Sequence, residues 1–238
     1  MGLSALWAES GVWSDDLMST AMSDTTQDLD GGLAAVDLYW IPLGAGQHVV
    51  RLSGKLFEVT SAWLQQRPRF DLYHSALVVV VPEGRFVVEQ TPVIDVHGER
   101  RGVVVEGPIG STLAGRFRLF RYEVRRWRDG VIPDIAEAVS CVRVADDLAR
   151  AKRILDLVRS VPPLVWGRDE RHTGDMWNSN SVVSWLLTRA GIQAARFSPP
   201  PGGRAPGWHA GITIAAYDGA STDVRSKLGS DRPTRRAS

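Results

Sequence analysis

One segment constrains the fold of this chain more than any other. Residues 72–81 are mostly apolar and end in four consecutive valines, which is typical of a strand that is buried on both faces. Glu83 and Gly84 then form a tight turn, and residues 85–91 make a second extended run. The pattern predicts a β-hairpin whose first strand is central in a sheet.

Periodic segments on both sides of the hairpin predict further strands and helices. Within residues 116–124 the apolar positions change parity, which predicts a strand with a β-bulge near Leu119. Strands and helices in this arrangement predict an α+β fold. The other predicted strands are 36–42, 49–52, 103–106, 139–144 and 211–216, and the predicted helices are 53–68, 146–160 and 179–190.

The composition places one folded domain between two polar ends. With 44% hydrophobic and 23% charged residues, the chain has the composition of an ordinary globular protein. Residues 1–32 and 219–238 are rich in polar residues and show no hydrophobic period, so we predict disorder there. The folded domain is predicted to span residues 33–218.

Charge and cysteine usage limit the partners and the location of the chain. The 28 Lys and Arg residues nearly balance the 27 Asp and Glu residues, so we expect no dedicated nucleic-acid partner. Cys141 is the only cysteine, which excludes an intramolecular disulfide and fits a reducing, cytoplasmic location. We expect no transmembrane segment and no signal peptide, because no apolar run has the required length.

The sequence predicts no metal and no cofactor. Asp169, Glu170, His172 and Asp175 have side chains that can bind metals, but they lack the spacing of a metal motif. The glycines of residues 202–207 are not followed by a predicted helix, so they do not resemble a phosphate-binding loop.

A cluster of four polar residues opens the predicted helix at residues 179–190. Asn178, Ser179, Asn180 and Ser181 stand there, although capping of the first turn requires only one side chain. A helix N-terminus presents free N–H groups and a positive dipole end, which suits a nucleophile and its developing oxyanion. Ser179 is therefore a candidate nucleophile, and the alternative is a capping cluster without a catalytic role.

His74 and Glu89 are candidates for the general base and for the residue that orients it. His74 begins the apolar part of the first hairpin strand, where its ring would lie at the rim of the sheet. Folding the hairpin back from its turn brings Glu89 or Gln90 within reach, and Glu89 is preferred for its charge. The alternative is a rim histidine beside an unrelated surface glutamate.

These candidates resemble the site of the circularly permuted papain-like hydrolases, which include the permuted NlpC-type amidases and the lecithin retinol acyltransferase-like proteins. The resemblance implies an antiparallel sheet packed against a nucleophile-bearing helix. It also implies hydrolysis or acyl transfer at an amide, peptide or ester bond, with a small molecule or peptide as substrate. It covers roughly residues 70–190 and is carried by Tyr73-His74-Ser75-Ala76-Leu77-Val78, Glu89 and Asn178-Ser179-Asn180-Ser181.

The chain departs from this family at the nucleophile. The helix-opening motif of the family reads Asn-Cys-Asn, whereas Ser179 stands at the cysteine position. A hydroxyl is not converted to its anion as readily as a thiol, so Ser179 would depend on His74 as general base. Three explanations stay open: a serine-dependent hydrolase, a catalytically inactive binding module, or an engineered replacement of cysteine.

An arginine-rich strip indicates a different function. Arginines alternate there with aromatic residues, a pattern typical of binding to nucleic acid or to anionic lipid. The alternative is a solvated strand face. The strip consists of Arg116, Phe117, Arg118, Phe120, Arg121, Tyr122, Arg125, Arg126, Trp127 and Arg128.

Overall fold

The computed structural model describes residues 34–43, 71–93, 102–132 and 135–230, and for residues 221–230 it describes the backbone alone. The chain divides into two units, Met1–Gly32 and Leu33–Ser238, and every described residue belongs to the second. The predicted disorder of residues 1–32, the predicted strand at 49–52 and the predicted helix at 53–68 lie outside the described residues.

An antiparallel sheet carries the described part of the domain. Its strands are β1 (Ala35–Pro42), β2 (Asp71–Val81), β3 (Gly84–Pro92), β4 (Val103–Pro108), β5 (Arg121–Arg128), β6 (Ser140–Ala145) and β7 (Gly203–Arg204). The order across the sheet is β4-β5-β3-β2-β1-β6, and all of these neighbours are antiparallel. The two residues of β7 pair in parallel with the start of β2. The predicted hairpin is confirmed as β2 and β3, with β2 inside the sheet.

Three helices accompany the sheet in the described part, so the α+β class is confirmed. They are α1 (Leu148–Leu157), α2 (Ser179–Arg189) and α3 (Trp208–Ser230). Asp147 caps α1, because its carboxylate accepts a hydrogen bond from the Arg150 N–H at 2.8 Å. After α2, Gly191 has a φ of 80°, the left-handed conformation of a helix-ending glycine. Among the described helices, none is long and apolar enough to cross a membrane.

The two faces of the sheet pack against different cores. Side chains alternate between the faces along each strand. The larger core joins one face to the helices and includes the buried residues Trp40, Leu77, Val79, Val88 and Leu186. The smaller core lies on the other face and includes Ile41, Ala76, Val78, Val87 and Ile132. Odd-numbered residues of β2 therefore face the helices, and even-numbered residues face away from them.

Residues 116–124 differ from the predicted bent strand. Two short 3₁₀ turns, Ala114–Arg116 and Arg118–Phe120, occupy the first part of this region, and β5 begins only at Arg121. The change of parity near Leu119 marks the start of a strand and not a bulge. The apolar residues of the two turns are not buried in a core. The alternation of apolar residues in the sequence did not predict that they would be exposed.

Residues 211–216 form part of α3 and not the predicted closing strand. Ala210 and Ile214 lie one helical turn apart, and both are buried. Gly211 lies so close to α2 that an added Cβ would overlap the carbonyl of Ser181. The helix also continues to Ser230, beyond residue 219, where the sequence predicts a disordered tail.

Candidate functional site

The first turn of α2 is held by a full set of capping bonds. Oδ1 of Asn178 accepts hydrogen bonds from the backbone N–H groups of Asn180 (2.9 Å) and Ser181 (3.3 Å). The Ser181 hydroxyl accepts in return from the Asn178 N–H at 3.0 Å, which completes a capping box. Asn178 and Ser181 therefore have the structural role that the capping interpretation gives to this cluster.

Asn180 ties the start of α2 to the sheet. Its Oδ1 accepts a hydrogen bond from the Ser75 hydroxyl (2.9 Å), and its Nδ2 donates to the carbonyls of Tyr73 (2.9 Å) and Pro206 (2.8 Å). Because Asn180 is buried, losing these bonds would leave polar groups unpaired away from water. Asn180 thus fixes the helix start over β2, a role that the sequence pattern did not reveal.

Ser179 is the first residue of α2, at the predicted helix opening, and it is buried. Its hydroxyl makes no hydrogen bond within the described part of the chain. A helix N-terminus stabilises negative charge, which suits a nucleophile. Acyl chemistry also requires a base within hydrogen-bonding reach of this hydroxyl.

His74 and Ser179 lie on opposite sides of the sheet. In the β1–β2 register Trp40 pairs with Ser75, and Ile41 pairs with His74. Ser75 faces α2, as its hydrogen bond to Asn180 shows. His74 follows the alternation to the other face, the face of Ile41 and the smaller core. The structure therefore does not bring the predicted base to the predicted nucleophile, because a shift of one residue in a strand reverses the face.

Burial lowers the pKa of His74 from its ordinary value of 6.5 to about 4. The folded chain then binds fewer protons than the unfolded chain between these two values, so stability is lost as the pH falls through this window. Between pH 7 and pH 4.5 the free energy of unfolding should therefore fall by up to about 2–3 kcal/mol less in His74→Gln than in wild type. Urea unfolding at pH 7 and pH 4.5 measures it, with the exposed His209→Gln as control. Equal pH dependence in wild type and His74→Gln would contradict the assignment.

Glu89 belongs to a buried ion cluster. Its Oε1 lies 3.5 Å from Nη1 of Arg125, which directly opposes it on β5. Arg125 also donates to Oε2 of Glu123 from Nε (3.0 Å) and Nη2 (2.9 Å). All three side chains are buried. Glu89 lies on the same face as His74, and its carboxylate contacts the Arg125 guanidinium.

Uncharged polar groups occupy the helix-facing side of the sheet. Gln90 opposes Val124 of β5, and Ser75 pairs with Trp40 of β1. Val124 and Trp40 belong to the larger core, so Gln90 and Ser75 both face the helices. Gln90 is 4% exposed, and in the described structure neither its amide nitrogen nor its amide oxygen has a hydrogen-bond partner. Nε1 of Trp40 lacks a partner as well. Serine, glutamine and tryptophan are not general bases at neutral pH, so this row does not replace His74.

Residues 111–121 form a second candidate site, the arginine–aromatic loop. The Ser111 hydroxyl accepts a hydrogen bond from the Ala114 N–H at 3.1 Å, which fixes its first turn. Arg116 and Arg118 are exposed. Dense exposed apolar side chains mark an interaction surface. Those of the loop are Leu113 (65% exposed), Phe117 (67%), Leu119 (78%) and Phe120 (45%).

A cavity of about 180 Å³ lies against this loop. Arg121 forms an ion pair with Glu106 at 2.8 Å (Nη2 to Oε2). Nε of Arg121 is buried and has no hydrogen-bond partner in the described structure. The cavity is lined by Val93, Glu106, Arg116, Arg118, Arg121 and Glu123.

The predicted arginine strip is divided between several environments. Arg125 is buried in the ion cluster, and Nη1 of Arg126 donates to the Leu155 carbonyl at 3.1 Å on the helix face. Arg128 lies near Asp129 at the far end of β5. Of the six arginines, Arg116, Arg118 and Arg121 remain beside the exposed apolar residues, because strand alternation separates the others.

The acidic residues considered for a metal serve the local backbone. Asp169 accepts hydrogen bonds from the Thr173 and Gly174 N–H groups, and Asp175 accepts one from the Gly207 N–H at 2.7 Å. Among the described residues, no group of three His, Cys, Asp or Glu side chains is placed to hold a metal ion.

Comparisons with protein-family models, with curated proteins and with solved structures found no match. A functional assignment therefore rests on the residues of this chain. Two places carry it: the start of α2 with Ser179, and the arginine–aromatic loop with its cavity.

Proposed function

We propose that this chain is a binding module that docks on anionic membrane surfaces through the arginine–aromatic loop. The observation that carries the proposal is the exposure of Phe117 (67%) and Leu119 (78%) beside the exposed arginines Arg116 and Arg118. At a bilayer surface the apolar side chains would leave water for the acyl boundary, and the guanidinium groups would meet lipid phosphates.

Apolar burial and arginine–lipid attraction together are large enough for reversible binding. Full burial of one large apolar side chain contributes roughly 1.5–3 kcal/mol. Each arginine near an anionic leaflet adds about 1 kcal/mol. Several such contributions, reduced by the cost of association, correspond to micromolar rather than nanomolar binding.

The loop favours lipid over nucleic acid. Leu113 and Leu119 are exposed, but an aliphatic side chain offers no flat surface on which a base can stack. The remaining arginines do not form a continuous track, since Arg125 and Arg126 are engaged in protein contacts.

Co-sedimentation with lipid vesicles tests the proposal. We expect the full chain to bind vesicles that contain phosphatidylserine, to bind pure phosphatidylcholine vesicles much more weakly, and to dissociate as the salt concentration rises. Absence of binding to any vesicle would refute the proposal and would leave the exposed apolar side chains as a contact surface for a protein.

Ser179 supports a second candidate function, acyl chemistry in a papain-like fold. An antiparallel sheet packs against the helix that Ser179 opens, and the hydroxyl has no hydrogen-bond partner among the described residues. The opposing observation is that His74 faces the other side of the sheet. A papain-like module without a base would bind ligands and not turn them over.

A serine-reactive phosphonate separates turnover from binding at Ser179. Because His74 faces the other side of the sheet, we expect wild type to be labelled no more than Ser179→Ala. Mass spectrometry of the intact and digested chain measures the adduct. Labelling of Ser179 that disappears in both Ser179→Ala and His74→Ala would establish the hydrolase instead.

A further inference from the structure

We infer that the cavity beside the arginine–aromatic loop binds a phosphate group. The cavity has a volume of about 180 Å³, which is room for more than one water molecule. A phosphate with a short substituent fits in this space. The inference deepens the proposed function and rests on it for the lipid source of the phosphate, but the site itself would accept free phosphate as well.

The side chains that line the cavity carry both positive and negative charges. Glu106 is paired with Arg121, and Glu123 is paired with the buried Arg125 behind it. Glu106 therefore has a cationic partner within the lining, whereas Glu123 shares Arg125 with Glu89. Arg116 also lines the cavity and makes no ion pair within the described part of the chain, so its guanidinium is available to an anion.

Two donor groups in the lining lack an acceptor. Nε of Arg121 is buried and unpaired in the described structure, although Nη2 of the same side chain binds Glu106. The Arg116 side chain makes no hydrogen bond or ion pair within the described part. The buried Nε of Arg121 is costly to leave unpaired, and an anion with several oxygen atoms would pair with it and with the exposed Arg116 guanidinium.

Phosphate suits this arrangement better than a carboxylate does. Guanidinium groups present planar pairs of donors that match phosphate oxygens. Arg116 and Arg121 belong to different elements, a 3₁₀ turn and β5, so an anion with more than two oxygen atoms can meet both of them. A carboxylate offers two.

Titration of the full chain with inorganic phosphate, followed by calorimetry, tests the site. Arg116→Gln removes one unpaired donor without breaking a described contact, and Arg128→Gln removes an exposed arginine at the far end of β5 as a matched control. We expect saturable binding that weakens at least about fivefold in Arg116→Gln and is unchanged in Arg128→Gln. No saturable binding, or equal weakening in both variants, would overturn the inference.

Vesicles distinguish the two sources of the phosphate. At matched surface charge, a lipid-phosphate site predicts that wild type prefers phosphatidic acid over oleate vesicles and that Arg116→Gln loses this preference. Binding of free phosphate without binding of any vesicle would keep the site and refute the membrane function. Binding of both vesicles without preference, together with no response to inorganic phosphate, would keep the membrane function and refute the site.

Discussion

Replacing Phe117 and Leu119 by serine is expected to weaken binding to phosphatidylserine vesicles at least about tenfold, because even partial burial of two such side chains contributes more than about 1.4 kcal/mol. Both side chains are exposed, so the folded state makes little use of them. We therefore expect the midpoint of thermal unfolding to stay within a few degrees of wild type. Co-sedimentation at fixed lipid composition measures the loss of binding.

A matched variant separates this effect from general hydrophobicity. Val131 is 61% exposed and lies just beyond the end of β5 opposite to the loop. Val131→Ser removes an exposed apolar side chain that the docking surface does not include, so we expect unchanged binding. If the double variant bound as tightly as Val131→Ser, the arginine–aromatic loop would not be the docking surface.

The second large effect concerns stability. Arg125→Met leaves the carboxylates of Glu89 and Glu123 buried without their guanidinium, which we expect to cost about 3–5 kcal/mol. Urea unfolding at pH 7 measures this loss. Arg128→Met, an exposed substitution on the same strand, should change stability by no more than about 0.5 kcal/mol.

A compensated variant identifies the cause of that loss. Combining Arg125→Met with Glu89→Gln and Glu123→Gln removes all three charges together, so much of the stability should return. If Arg125→Met were no more harmful than Arg128→Met, the ion cluster would contribute nothing. If the triple variant were as unstable as Arg125→Met, lost packing rather than unpaired charge would explain the effect.

The hairpin and the start of α2 could be predicted because their signals are local. Four valines followed by Glu83-Gly84 require only the geometry of a strand and a turn. The helix at Ser179 is marked by a polar cap, an apolar repeat and Gly191 after its end. In both cases neighbouring residues contain the information.

The sequence could not predict which face of the sheet His74 occupies. Side chains alternate between the two faces of β2, but almost all residues of this strand are apolar. Both faces of β2 are buried, so the pattern does not tell which of His74 and Ser75 faces α2. The hydrogen bond from Ser75 to Asn180 decides it, and that contact joins residues far apart in the sequence. Long-range contacts of this kind leave no periodic signal.

The sequence predicted the residue content of the arginine–aromatic loop but not its backbone conformation. Arg116, Phe117 and Leu119 alternate as strand residues do, yet the chain forms two 3₁₀ turns there. Phe117 and Leu119 are exposed because β5 begins only at Arg121, after the two turns. Tertiary context overrode a weak strand preference.

The depth of a fluorophore at the loop tests the membrane function most directly. In a Cys141→Ser background, Leu119→Cys and Val131→Cys place one environment-sensitive label either in the loop or away from it. On phosphatidylserine vesicles we expect the label at residue 119 to shift to shorter emission wavelengths and to be quenched by lipid-borne nitroxide, while the label at residue 131 stays in water. Vesicle-bound protein in which the label at residue 119 remained in water would contradict the account.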